Sequence, residues 1–178
     1  MTATRFNDMR GTLADGSTLR MQRRLPGPIE RVWSYLTDSE LRRQWLASGS
    51  MSLQPGASFE LVWRNDELSN SPAERPDGFS AESRALCRFV EVEPPRRMCY
   101  IWHGVGEVSI ELATVDNDVM LTLTHRQLSG EQLILNVCAG WHAHLILLVA
   151  HLEGTSPPSL WSTWQRLRED YEEQVCAS

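Results

Sequence analysis

The sequence predicts an α+β domain in which a curved antiparallel sheet packs on a long C-terminal helix. The middle of the chain, from residue 58 to residue 126, contains short segments in which apolar and polar residues alternate, as they do in half-buried strands. After Ser129 and Gly130 the apolar residues recur every three to four positions as far as Gly154, which is the spacing of a helix. Short turns between consecutive strands favour an antiparallel meander.

The length and composition fit one domain. The chain has 178 residues, of which 42% are hydrophobic, enough for a real core. Residues 1–17 are polar and contain glycine, so we expect a flexible N-terminal arm there. Residues 18–154 form the predicted domain, and residues 155–178 form a C-terminal helical extension.

The first predicted elements are a strand and two short helices. Residues 18–25 suit a strand, which the Pro26-Gly27-Pro28 sequence ends. From Ile29 onwards the apolar spacing is helical. Thr37 or Asp38 can cap a second short helix.

The later elements follow from alternation and from breaker residues. Residues 66–80 are rich in Asn, Ser, Pro, Asp and Gly, which predicts a long loop. The long helix carries an apolar stripe wide enough to be covered on more than one side, and residues 159–174 predict a final helix. The predicted strands are 59–64, 82–93, 97–103, 107–115 and 119–126.

Charge, cysteine usage and hydropathy exclude several functional classes. All 17 basic residues are arginines, they are scattered, and the formal charge is −6, so we expect no nucleic-acid partner. The four cysteines form no C-x-x-C pair, which argues against disulfides and a zinc site, so we expect buried thiols. We also expect no cofactor. No run of about 18 apolar residues predicts a membrane span, and the N-terminus lacks a signal sequence, so we expect a cytoplasmic protein.

Several stretches resemble one protein family in the family's own order. They run from the first helix into the last predicted strands and the long helix. The matching stretches are Leu25-Pro26-Gly27-Pro28-Ile29-Glu30-Arg31-Val32-Trp33, Leu36-Thr37-Asp38, Trp45, Val90-Glu91-Val92-Glu93-Pro94-Pro95-Arg96-Arg97-Met98, Tyr100-Ile101-Trp102, Leu121-Thr122-Leu123-Thr124-His125, Gly140-Trp141, Leu145 and Leu152-Glu153-Gly154. They resemble the Hsp90-ATPase-activator-like (AHSA1-type) branch of the START-like (SRPBCC) superfamily.

This resemblance implies a helix-grip fold with a cavity between the curved sheet and the long helix. The superfamily includes lipid carriers, hormone receptors, polyketide cyclases and co-chaperone domains, so the fold does not select one activity. The eukaryotic activators carry a separate domain that docks on the chaperone, and an arm of about 17 residues is too short for one. The expected partner is therefore a small hydrophobic or aromatic molecule, with a chaperone as the alternative.

The candidate ligand-binding residues lie on faces that should meet at this cavity. His125 continues the alternation of Val119, Leu121 and Leu123, so its ring should point toward the long helix. There it could orient a ligand or act as a general base, or it could be a core histidine bonded to a neighbour. The predicted ligand-binding residues are Trp63, Trp102, His125, Trp141 and Leu145. The aromatic members could equally be ordinary core residues.

Other candidate chemistry fails on spacing. His142 and His144 lie two apart on one helix and project about 200° apart, so no metal site with His151 is expected; His142 and His151 should face solvent. Glu107 and Glu111 should also face solvent. No nucleophile elbow or phosphate loop is present, so no catalytic residue is predicted.

Three functions therefore stand in order. The first is non-enzymatic binding of a small apolar or aromatic ligand, and the second is a chaperone-associated interaction module. The third is a cavity enzyme of the cyclase or hydrolase type, which needs at least two titratable groups inside the cavity. The sequence offers His125 and, if it points inward, Arg88.

Overall fold

The computed structural model describes residues 6–176. Seven strands and four helices form the main elements of this part of the chain. In chain order they are β1 Thr12–Ala14, β2 Thr18–Pro26, α1 Ile29–Thr37, α2 Ser39–Arg43, β3 Ser58–Trp63, β4 Ser83–Glu93, β5 Arg97–Trp102, β6 Gly106–Val115, β7 Asp118–Arg126, α3 Glu131–Glu153 and α4 Leu160–Cys176. These elements confirm the predicted α+β architecture and the helix-grip arrangement of sheet and long helix.

The seven strands form one antiparallel sheet in the order β1-β2-β7-β6-β5-β4-β3. The alternation seen in the sequence corresponds to its two faces. In β7, Val119, Leu121, Leu123 and His125 are buried, whereas the residues between them are only partly buried. The sheet therefore presents one apolar face to the long helix.

A bulge in β4 breaks the register against β5. Phe89 pairs with Tyr100 and Glu91 pairs with Cys99, so Val90 is the additional residue. An extra residue bends its strand and increases the local twist. Val90 turns outward and is 49% exposed, while Phe89 stays in the core.

Residues 6–17 differ from the flexible arm predicted over residues 1–17, of which residues 1–5 lie outside the described part of the chain. Residues 12–14 form β1, which pairs with β2 at the edge of the sheet. Asn7 is buried and exchanges two hydrogen bonds with the backbone of Arg24, at 2.8 and 2.7 Å. The prediction failed because three residues are too few to show alternation, and they are ordered by pairing with a strand that follows them.

The long helix α3 is the centre of the core. It is continuous from Glu131 to Glu153, and the residues expected to face the sheet are buried: Trp141, Leu145, Leu148 and Leu152. By length and composition alone α3 could cross a membrane, but 61% of its most apolar window is buried inside the structure. It therefore packs as a core helix.

The second side of α3 is covered by α4, which explains the width of its apolar stripe. Trp161, Trp164, Leu167 and Tyr171 of α4 are buried and belong to the same core cluster. The long loop after β3 is tied to the start of α4. Ser69 accepts a hydrogen bond from the backbone N–H of Trp161 at 3.0 Å, and Asp66 accepts one from its indole at 2.8 Å.

Three of the cysteines are free and buried, as expected: Cys87, Cys99 and Cys138. Burial raises the pKa of the Cys87 and Cys138 thiols to about 12. Because the thiolate is the reactive form, these cysteines are poor nucleophiles at neutral pH.

Candidate ligand-binding site

A cavity of about 370 Å³ lies between one end of the sheet, the first half of α3 and the start of α4. Its wall is dominated by aromatic side chains from five separate elements or loops. They are Trp63 of β3, Phe79 of the long loop, Trp102 of β5, Trp141 of α3, and Trp161 and Trp164 of α4. Phe79, Ser83 and Arg84 are exposed members of the lining and therefore mark its mouth.

The structure brings four of the five predicted site residues into one chain of ring contacts. Trp63 stacks on Trp102 with their centroids 5.1 Å apart, and Trp102 stacks on His125 at 5.6 Å. Trp141 meets the edge of the His125 ring at 6.4 Å. Because β4 lies between β3 and β5, the two stacked tryptophans meet across it, above Ala85, which also lines the cavity.

His125 and Trp141 are joined by a buried hydrogen bond. The indole Nε1–H of Trp141 donates to Nδ1 of His125 at 3.0 Å. An indole nitrogen can only donate, so Nδ1 carries no proton and the neutral ring has its proton on Nε2. Burial lowers the pKa of His125 to about 4, which keeps the ring neutral at pH 7.

The remaining Nε2–H of His125 has no regular hydrogen bond among residues 6–176. Burial lowers the pKa of His125, and the nearby backbone of Val105 partly offsets that effect, because a carbonyl favours the protonated ring. The contact between Val105 and Nε2–H falls short of a regular hydrogen bond. His125 is fully buried behind Trp102 and does not belong to the cavity wall. It therefore orients Trp141, and the general-base role considered from the sequence has no support in this geometry.

Leu145 also lies outside the cavity wall. It is fully buried in the core one turn beyond Trp141. Of the five predicted residues, Trp63, Trp102 and Trp141 thus line the cavity, and His125 and Leu145 support it from behind.

Three aromatic members of the wall were missed by the sequence reasoning. Phe79 packs against Trp161 and Trp164, with centroid distances of 5.2 and 4.9 Å. The helical spacing of Leu160, Trp164 and Leu167 signals that Trp164 is buried. No local pattern shows that this face of α4 closes the cavity, or that Phe79 folds back from a polar loop.

His144, which the sequence analysis considered only as part of an excluded metal site, is a polar residue of the cavity wall. It is 6% exposed, and its Nδ1 lies 2.6 Å from the backbone carbonyl oxygen of Trp45. A carbonyl can only accept, so Nδ1 carries the proton and Nε2 of the neutral ring is an acceptor. Burial lowers the pKa of His144 to about 4, so this tautomer persists at neutral pH.

The charge around the cavity is low. Among the residues that the structure describes, no carboxylate lines the wall and Arg84 is the only charged member. Arg84 lies at the mouth and forms ion pairs with Glu60 at 2.6 Å and with Glu82 at 2.9 Å. These contacts suit a neutral ligand better than an ionic one.

The other titratable candidates lie away from the cavity. Arg88 is exposed on β4 and does not point inward. His142 was expected to face solvent but is 3% exposed, because α4 covers that side of α3 and Tyr171 is hydrogen-bonded to its ring at 3.0 Å. His151 is only partly exposed and contacts the carbonyl of Gln44. Within residues 6–176, no group of three His, Cys, Asp or Glu side chains is arranged to hold a metal ion.

Comparison with known proteins agrees with this architecture. The family model for the Activator of Hsp90 ATPase homolog 1-like protein matches residues 26–153. A Bordetella parapertussis protein solved by NMR is 38% identical, with a TM-score of 0.78, over 94% of this chain and 91% of that one. The comparison with curated proteins finds no match.

Two more distant structures share the fold. CalU16 from Micromonospora echinospora is 23% identical, with a TM-score of 0.65, and the match covers 93% of this chain and 94% of that one. The Aha1 dimer from Colwellia psychrerythraea is 18% identical, with a TM-score of 0.58, over 76% of this chain and 96% of that one. From the extent of the family match and the 38% identity, the chain belongs to the family of Activator of Hsp90 ATPase homolog 1-like proteins.

Proposed function

We propose that this protein binds a small apolar or aromatic molecule, without chemical conversion, in the cavity between the sheet, α3 and α4. The observation that carries the proposal is a void of about 370 Å³ with six aromatic side chains in its wall. Ligand sites in proteins are typically apolar clefts of roughly 300–1,000 Å³ with a few polar groups. The cavity opens to solvent beside Phe79, Ser83 and Arg84, and its volume falls within that range.

Binding fits the cavity better than catalysis does. A cavity enzyme of the cyclase or hydrolase type needs at least two titratable groups that face the substrate. The described wall offers His144, with one ring nitrogen already committed to Trp45, and Arg84, whose charge is shared with two carboxylates. We therefore place ligand binding ahead of catalysis. The cytoplasmic location expected from the sequence remains a prediction.

A substitution at Gly140 tests the proposal because it fills the cavity from within α3. Gly140 lines the cavity, and a Cβ added there would meet no atom nearer than Nε1 of Trp164, at 3.9 Å. Gly140→Leu should therefore keep the fold while occupying the space of the ligand. The matched control is Ala113→Leu on the exposed side of β6.

The measurement is tryptophan fluorescence during titration with naphthalene. The wild-type protein and Ala113→Leu should show a saturable spectral shift, and Gly140→Leu should show none or require much more ligand. Equal binding by folded Gly140→Leu and wild type, or no binding by either, would refute the proposal. Trp141→Ala should also weaken binding, because it removes one wall of the cavity.

A chaperone-associated interaction module is the second candidate. Membership of the activator family favours it. So do two apolar side chains on the outer face of β4, Leu86 and Val90, which are 53% and 49% exposed, since exposed apolar groups can mark partner surfaces. The test is the ATPase rate of purified Hsp90 with and without this protein, compared with the Leu86→Ser variant. Stimulation that Leu86→Ser abolishes would favour this function, and an unchanged rate would leave ligand binding as the better account.

A further inference from the structure

We infer that the cavity selects neutral aromatic ligands that carry a hydrogen-bond donor, such as a hydroxyl group, and that Nε2 of His144 is the acceptor that recognises it. This inference rests on the proposed function and specifies the chemistry of its ligand. It follows from the hydrogen bonds of three of the five wall tryptophans and of His144.

Most indole donors in the wall are already satisfied. Nε1–H of Trp141 donates to His125, Nε1–H of Trp161 donates to Asp66, and Nε1–H of Trp164 lies 3.4 Å from the carbonyl oxygen of Asn136. These three rings therefore offer a ligand only their apolar faces and edges. Asn136 also accepts from Arg168 at 3.0 Å through its side-chain oxygen.

His144 differs from these residues because one of its ring nitrogens has no partner. Nδ1–H is held by the carbonyl of Trp45, and no hydrogen bond of Nε2 is seen within residues 6–176. Oδ1 of Asn65 is a second acceptor of the wall that lacks a partner there, but no ring stacking or hydrogen bond fixes it as the Trp45 carbonyl fixes His144. The bond to Trp45 fixes the orientation of the ring, and the ring belongs to the cavity wall. Nε2 is thus a fixed, neutral acceptor in a largely apolar site.

An acceptor of this kind discriminates between ligands. A ligand hydroxyl or N–H would complete the hydrogen bond, whereas an ether, a halide or a bare ring would leave Nε2 desolvated without a partner. A buried polar group without a partner is costly. The low charge of the wall disfavours an ionised ligand, so the selected class is a neutral aromatic alcohol or amine rather than a carboxylate or an ammonium ion.

The first experiment compares three probes on the wild-type protein by fluorescence titration at pH 7. The probes are 2-naphthol, 2-fluoronaphthalene, which has a similar size, and 2-methoxynaphthalene, which keeps an acceptor oxygen but has no donor. We expect 2-naphthol to bind about 2- to 12-fold more tightly than either control, the ratio that one net hydrogen bond supplies. Equal affinities for the three probes would overturn the inference while leaving the proposed function intact. Failure of all three to bind would overturn the proposed function itself.

The second experiment assigns the preference to His144. In His144→Asn the side-chain amide can still donate to the Trp45 carbonyl from a position close to that of Nδ1, but no acceptor remains at the position of Nε2. The ratio between 2-naphthol and 2-methoxynaphthalene should fall to about one. The matched control is His142→Asn, which changes a buried histidine of the same helix that contacts Tyr171 instead of the cavity, and it should keep the ratio. An unchanged ratio in folded His144→Asn would refute the role of His144.

A measurement on the wild type covers the case in which His144→Asn does not fold. The ¹⁵N signal of an unprotonated imidazole nitrogen moves when it accepts a hydrogen bond. Saturation with 2-naphthol should shift the Nε2 signal of His144, and 2-methoxynaphthalene should shift it much less. Equal shifts with both probes would contradict the inference.

Discussion

Three buried histidines should make the folded state lose stability on mild acidification. His125, His142 and His144 are each at most 6% exposed. Burial lowers the pKa to about 4 for His125 and His144 and to about 3 for His142, where Arg23, Arg166 and Arg10 add to the effect. The ordinary histidine pKa, near 6.5, applies to the unfolded chain.

The direction and size of the effect follow from proton linkage. Between pH 6.5 and 4 the unfolded chain binds protons that the folded protein does not, so the free energy of unfolding falls as the pH falls. From pH 7 to pH 5.5 each histidine contributes a loss of about 1 kcal/mol, or about 3–4 kcal/mol for the three together. This figure requires only that the folded pKa values lie well below 5.5. Carboxyl groups titrate mostly below that range.

The assay is urea denaturation at constant ionic strength between pH 7 and pH 5.5. Proton uptake on unfolding should approach three at pH 5.5 and fall to about two in His142→Asn. Leu86→Ala, which changes no titratable group on the exposed face of β4, should leave the slope equal to that of the wild type. A free energy of unfolding that stays within about 1 kcal/mol over this range would refute the reasoning, since a typical total is only about 5–15 kcal/mol.

Three further stability predictions concern packing and backbone geometry and can be measured by the same denaturation assay. Leu148→Ala should lower the free energy of unfolding by about 2–5 kcal/mol because it opens a cavity under α3. Leu86→Ala, on the exposed face of β4, should lower it much less, and equal losses of free energy would contradict the assignment of Leu148 to the core. Gly140→Ala should raise the free energy of unfolding by about 0.5–1 kcal/mol, since alanine is the better helix former and the position has room for a Cβ. A lower free energy of unfolding would show that the space beside Gly140 is not present. Gly49→Ala should lower the free energy of unfolding more than Gly56→Ala does. Both glycines have positive φ angles, but only at Gly49 would the added Cβ clash with a backbone carbonyl oxygen, that of Glu60. The reverse order would contradict the predicted clash.

The fold was largely predictable because its signals are local. Alternation in β2 to β7 and the helical spacing of α3 record which side of each element is buried. Trp63, Trp102 and His125, which the same alternation placed on one face of the sheet, stack in one row in the structure. Whether a residue on the inner face borders a void or lies behind another ring depends on side-chain packing, so His125 could not be distinguished from a wall residue.

The parts that were missed depend on distant contacts. His142 is buried only because α4 returns to cover α3, and α4 carries no signal of its docking position. The acceptor on His144 exists because Trp45, 99 residues earlier in the chain, holds the other ring nitrogen. β1 is too short to show a period and forms only by pairing with β2.

The indole N–H signals in a ¹H–¹⁵N NMR spectrum test the proposed cavity most directly, because the chain contains seven tryptophans and they divide into two groups. Five line the cavity: Trp63, Trp102, Trp141, Trp161 and Trp164. Trp33 and Trp45 lie in the core outside it and serve as internal controls. On titration with naphthalene, with signals assigned by single Trp→Phe substitutions, we predict saturable shifts of the five cavity signals and little change in the two controls. Shifts confined to Trp33 and Trp45, or no saturable shift in any of the seven, would contradict binding in this cavity.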